Sequence, residues 1–388
     1  MKLITIKRQI GLLNSVFHIT VLILVIIAEI LLGGCGQKGR LSHPVNPNKP
    51  IERVLMEPIV IKAQEQEGGE IKFEYYDAES LFDEGLKAID EGNSEKAVKY
   101  FEKIISEFPG TSFIEAAIFN AGYCREMLSL KENKEANLIA AIALYERLIK
   151  DFPNSPYIID SLFRKGYCLE ALGKNEEALK LYQTMLEERK DLKTQDKIEL
   201  KARVGEILFW SKEFSKAEKE LRDTVFFFKQ SSQDERIENT YYAAQAQFDI
   251  AEIMRMKFES INFSIDEKEI RQQLEEKLGY MIKAKDAYIA TIKIGNYIWA
   301  VASGYRIGML YKTLYDQIMN APIPPKINTP ELKKVYMELL EERVRPLLKS
   351  SISVWEKTLL MAERVGYQGE WTQKVENAIE ETMQIINK

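Results

Sequence analysis

Two histidines, His18 and His43, are the whole imidazole inventory of the 388 residues, and both precede every segment that reads as folded. No His-based triad and no multi-His metal centre can be assembled inside the fold. Thiol chemistry is confined to Cys35, Cys124 and Cys168. There is no Walker-type phosphate loop, no dinucleotide glycine motif and no Cys-x-x-Cys pair, so no cofactor and no metal is expected. Carboxylates are abundant, 59 Asp+Glu against 54 Lys+Arg. A Glu/Asp pair for glycan processing therefore stays open; it would need a buried pair about 5–9 Å apart in a deep cleft. The net charge of −5 gives no general attraction to nucleic acid or anionic lipid.

The setting of Cys35 gives its thiol a task. Lys2, Lys7 and Arg8 make a basic start, and Val21 to Leu32 is an apolar run of twelve positions broken only by Glu29. Leu32-Gly33-Gly34-Cys35 follows at once. This is a secretory signal with a small-residue cleavage site. Its end resembles a bacterial lipobox, where a peptidase cuts before the cysteine and the thiol is diacylated. The resemblance implies a signal peptide over residues 1–34 and lipid (palmitate-type) attachment at Cys35. The alternative is an uncleaved anchor, but twelve helical residues span about 18 Å against a hydrocarbon core of ~30 Å. Removal of residues 1–34 takes away three bases and one acid and leaves a net charge of −7. The expected compartment permits disulfides. Gly36, in the sorting pattern this resembles, favours the outer membrane, with the chain facing the periplasm.

Residues 35–75 read as a lipid-anchored linker. Pro44, Pro47, Pro50 and Pro58 block regular helix, and Gly68-Gly69 lies in a polar stretch. A flexible linker of about 40 residues has an r.m.s. span of roughly 35 Å. Pro58-Ile59-Val60-Ile61 could form a short strand against a partner; the expectation is a semi-extended tether.

From residue 77 the pattern becomes helical and repeats. Gly85, Ala97, Phe101 and Pro109 set a spacing of 12, 4 and 8 residues. Small residues on two consecutive helices mark their close crossing, an aromatic one turn later fills the seam, and proline ends the hairpin. Gly166, Ala178 and Tyr182 reproduce that spacing, as do Gly205, Ala217 and Leu221. Gly122, Ala141 and Tyr145 match with a longer turn. Ala251 pairs with Ala284 and Tyr288 across a charged insert, Ser260 to Leu278. Gly308 pairs with Ser351 and Trp355 across an insert holding Pro322, Pro324, Pro325 and Pro330. Residues Trp371 to Ile386 would form a polar-faced cap. The expected organisation is a regular array over 76–230, followed by degenerate repeats with inserts over 231–388.

This pattern resembles the tetratricopeptide repeat, and it implies an all-α solenoid of helix hairpins. With the lipobox, and with joints such as Phe108-Pro109-Gly110-Thr111-Ser112 and Phe152-Pro153-Asn154-Ser155, the chain is similar to the tetratricopeptide lipoproteins of Gram-negative envelopes. The types it resembles are BamD of the β-barrel assembly machine and the Tol-Pal coordinator. Its tail, Tyr336 to Trp371, is similar to proteins of gliding-motility complexes. The resemblance implies a non-enzymatic scaffold for envelope proteins. A peptidoglycan- or glycan-binding or processing protein is the alternative.

In proteins of this type the residue three before the glycine lines the groove. Here that position holds Phe82, Phe119, Phe163, Ala202, Phe248 and Tyr305. Such rings can anchor an extended or helical segment, or they can simply fill the core. Neighbouring polar positions collect acids, among them Glu126, Glu170 and Glu206. They would favour a basic amphipathic partner, or they decorate solvated faces because glutamate is a good helix former. Cys124 and Cys168, each in Gly-Tyr-Cys, are expected as buried free thiols, because equivalent positions on adjacent helices are too far apart for a disulfide.

Overall fold

Asp77 shows how local chemistry starts the array. Its side chain accepts from the Ser80 amide at 2.8 Å, while Ser80 Oγ accepts from the Asp77 amide at 3.1 Å. The two satisfy amides that the first helical turn cannot. Helix α1 (Ala78–Asp90) follows, and Gly92, at φ +70°, turns the chain into Asn93, which caps α2 (Ser94–Glu107). Gly173, at φ +74°, makes the same left-handed turn in the third hairpin.

The computed structural model describes residues 58–65 and 71–387. The signal segment 1–34, Cys35 and the linker as far as residue 57 lie outside the described residues. After α2 the hairpins continue as α3 (Ile114–Ser129) with α4 (Lys134–Asp151), α5 (Ile158–Ala171) with α6 (Asn175–Glu188), and α7 (Thr194–Trp210) with α8 (Phe214–Asp234). Two longer hairpins follow, α9 (Tyr241–Ser260) with α10 (Glu267–Ile294) and α11 (Tyr297–Met319) with α12 (Pro330–Arg364), and then α13 (Glu370–Ile386). Each helix packs on the next in sequence. The first helices of successive hairpins also stack, α3 on α5, α7 on α9 and α9 on α11, and α11 packs on α13. This is the solenoid of helix hairpins implied by the sequence pattern.

The seams follow the expected spacing. A Cβ placed on Gly85 would come within 2.7 Å of the Phe101 ring, one on Gly122 within 2.6 Å of Tyr145, and one on Gly205 within 2.6 Å of Leu221. Gly166 meets Tyr182, and Gly308 meets Trp355, in the same way. Phe101, Tyr145, Tyr182, Tyr288 and Trp355 are fully buried at these crossings. Trp355 also donates to the Tyr305 carbonyl at 3.0 Å.

One expectation is corrected, and the two inserts gain a structure. Part of the expected tether is a β-hairpin, β1 (Ile59–Glu65) paired antiparallel with β2 (Ile71–Asp77). Its partner is the chain itself. Val60 and Tyr76 turn inward onto the first helical pair, and the Tyr76 hydroxyl donates to Glu107 at 2.5 Å. The charged insert 260–278 is largely helix, because α10 begins at Glu267 and carries the second helix of its hairpin backward by several turns. The proline-rich insert is likewise short. Pro330 occupies the first turn of α12, where its missing N–H costs nothing, and Thr329 caps that helix by accepting from Leu332 at 3.2 Å. Pro346 lies within α12.

Candidate partner-binding face

The first helices of the hairpins bring the expected groove positions onto one ladder, where neighbouring side chains already engage the rings. Phe82 is half-buried against Phe101 and Phe113, with centroids 5.5 and 5.3 Å away. Phe119 is half-buried and stacks on Tyr157 at 5.2 Å. Phe163 is buried beside Tyr167, and Ala202 is buried at the equivalent position of the fourth hairpin. Phe248 is buried among Tyr288, Trp299 and Trp371. Tyr305 is partly buried, 5.7 Å from the Trp371 ring. Trp371 belongs to α13, so the chain's own terminal helix covers the last two positions.

The acids Glu126 and Glu170 are structural partners within the ladder. Tyr145, from the second helix of the same hairpin, donates its hydroxyl to Glu126, and Arg164 from the next hairpin binds the other oxygen at 3.1 Å. Glu170 receives Tyr182 and, on the same oxygen, Arg203 at 3.1 Å. Glu252 receives Tyr288, and Arg306 of the following hairpin lies 3.0 Å away. Each acid thus ties two helices of its own hairpin to the next one. Arg164, Arg203 and Arg306 all stand two residues before the glycines Gly166, Gly205 and Gly308. That recurrence was the sequence signal for the device, and a search restricted to acids passes over it.

Electrostatics agree with the geometry. Burial raises the Glu126 carboxyl, against the pull of Tyr145 and Arg164. Burial, and then the neighbouring carboxylate, pushes the hydroxyls of Tyr145 and Tyr182 upward, so they remain donors. Arg203 remains charged: burial works against it, but Tyr182 and Glu170 lead the groups that hold it above its usual value. Its guanidinium also binds Glu199 at 2.9 Å and lies 4.2 Å from the Tyr167 ring centroid.

Glu206 stands apart from this device. It lies on α7, partly buried, near Gln245 of α9 and Trp210, which is 70% exposed. Asp249 follows Gln245 one turn along α9; it is 8% exposed and its Oδ2 has no hydrogen-bond partner. Burial raises both carboxyls. Cys124 and Cys168 are free and buried, and burial pushes each thiol up to about 12. Among the described residues no group of three or more His, Cys, Asp or Glu is arranged to hold a metal ion, and no helix is long and apolar enough to cross a membrane.

Residues 78–111, 116–155 and 160–191 match the family model of the tetratricopeptide repeat. No curated protein matches the chain significantly. Among solved structures the chain is similar to a tetratricopeptide repeat protein from Parabacteroides merdae ATCC 43184, with 14% identity, TM-score 0.37, and coverage of 79% of this chain and 98% of that one. It is similar to the apo form of RapI, with 11% identity, TM-score 0.42, and coverage of 80% and 97%. It is also similar to the MamA protein, with 15% identity, TM-score 0.34, and coverage of 64% and 96%.

Proposed function

We propose that the chain is a non-enzymatic adaptor that holds protein partners along the first helices of its hairpins. Acylated Cys35 tethers it to the periplasmic face of an outer membrane, where it scaffolds an envelope complex of the β-barrel assembly, Tol-Pal or motility type. The observation that carries this reading is the packing of first helices on one another, α3 on α5, α7 on α9 and α9 on α11, in an array whose repeat family model matches within residues 78–191. Repeat arrays of this kind present extended surfaces to peptides and helices. Partly buried Glu206 lies on α7 and buried Asp249 on α9, two first helices that pack together.

Palmitate labelling followed by cross-linking of intact envelopes tests the proposal. Wild type is expected to take the label and to co-purify with other envelope proteins, while Cys35→Ser stays unlabelled and loses them. Equal labelling of both would remove the tether. A labelled wild type that cross-links to no protein would remove the adaptor.

A further inference from the structure

We propose that the face between α7 and α9 receives an arginine side chain from a protein partner, its guanidinium entering between Glu206 and Asp249. This rests on the adaptor reading and names the chemistry of its contact.

The argument comes from the array's own regularity. At three steps an arginine two residues before the small seam residue reaches the acid of the preceding hairpin: Arg164 to Glu126, Arg203 to Glu170 and Arg306 to Glu252. At the step from the fourth hairpin to the fifth, the equivalent position, two before Ala251, is Asp249. An acid therefore stands where the pattern supplies a cation, and the acid it faces across the step is Glu206. Arg203 is taken up by Glu170 and Glu199, and Arg255 by Glu252 and Glu259. Among the described residues no ion pair reaches Glu206 or Asp249. Arg203 draws partly on Glu206, but only acids, Glu206 and Glu252, act on Asp249, and burial favours its neutral form until a cation arrives.

The surroundings suit a planar cation. Trp210 is exposed beside Glu206, and Tyr241 sits near both carboxyls, its ring 5.5 Å from Trp299. Guanidinium over an aromatic face is the arrangement the array already uses, with Arg164 4.6 Å from Tyr123 and Arg203 4.2 Å from Tyr167. Two carboxylates and flat rings match the fork and plane of arginine better than the compact ammonium of lysine.

Two tripeptides test this on the full chain: acetyl-Leu-Arg-Leu-amide, and the same peptide with citrulline, which keeps the shape and removes the charge. Calorimetric titration is expected to give the arginine peptide about a tenfold or greater advantage in Kd. The double variant Glu206→Gln with Asp249→Asn, nearly isosteric with wild type, should abolish that advantage. Asp249→Arg restores the pattern from within, so it should raise the melting temperature and silence both peptides. Equal titration of the two peptides by wild type, or an advantage that persists in the double variant, would overturn the proposal. The envelope cross-linking above fails or succeeds independently. Partners retained without arginine preference would move the contact elsewhere on the face, and arginine preference without any cross-linked protein would remove the adaptor reading and keep the site.

Discussion

Lys277 is a cation that folding removes entirely from water. Its Nζ donates to the carbonyls of Phe258 and Ile261, each at 2.7 Å, and lies 4.6 Å from the Phe258 ring centroid. These carbonyls close the C-terminal end of α9, where orphan acceptors and the negative pole of the helix both favour a positive charge. Burial nevertheless lowers the ammonium to about 8, with Glu259 pulling the other way. Between pH ~8 and ~10.5 the unfolded chain therefore holds more protons than the folded one, and stability rises with pH through that window. Urea unfolding at pH 7.5 and pH 10 should show wild type gaining stability relative to Lys277→Met at the higher pH. A constant difference would mean the ammonium is not perturbed. Nothing near Lys277 in the sequence announces this role, because its acceptors are carbonyls 16 and 19 residues earlier. The seam pairs were legible for the opposite reason. Gly166 and Tyr182 carry their meaning in their own types and spacing. The acids fall between these cases. Glu126 and Glu170 were visible as a pattern, but what they bind became visible only when arginine from the next hairpin was placed beside them.

At the scale of elements, the β-hairpin was the largest departure from the sequence reading, although its signal was present. Ile59-Val60-Ile61 and Ile71-Lys72-Phe73-Glu74-Tyr75-Tyr76 flank Gly68-Gly69, which is a hairpin pattern. The prolines upstream drew the reading toward a tether. Period-two geometry splits the hairpin into two faces. Val60, Lys62 and Tyr76 face the helices, with the Lys103 ammonium 3.1 Å from the Tyr76 ring centroid and Lys62 paired to Glu107 at 3.5 Å. Ile59, Ile61, Phe73 and Tyr75 face outward and are exposed. The neighbouring tyrosines should therefore behave differently. Tyr76→Ala removes a ring, a hydrogen bond and a cation contact, and should cost about 1–3 kcal/mol in chemical denaturation. Tyr75→Ser should lie within about 0.5 kcal/mol of wild type. Equal costs would mean that the hairpin packs through the other face. The inserts 260–278 and 321–346 follow the same logic, since α10 and α12 extend into them. Charge and proline content mark departures from a repeat pattern, and both are compatible with helix when the charges are solvated and the proline sits in the first turn, as Pro330 does.

Over the whole array, stability should be distributed as a chain of nearest-neighbour interfaces, because each hairpin packs mainly on the hairpins beside it. The α13 helix is the terminal member of that chain, and it does more than present a polar outer face. Its Trp371 reaches back to Phe248 at 6.2 Å and Tyr305 at 5.7 Å, and so couples α13 to two earlier first helices at once. Deleting residues 370–388 should therefore uncover Phe248 and Tyr305 and loosen α9 and α11, while leaving α1 to α6 untouched. Amide hydrogen exchange on the shortened chain reads this directly. Faster exchange confined to α9–α12 is the expected result. A uniform loss of protection reaching Ser94–Glu107 would mean that the array unfolds as one cooperative body, and unchanged protection in α11 would mean that Trp371 rests on the surface without holding it. In the expected case the aromatic positions of the last two hairpins become an open ladder only when α13 leaves. Among the described residues α13 reaches neither Phe82 nor Phe119, so their half-buried state should be unchanged by the deletion.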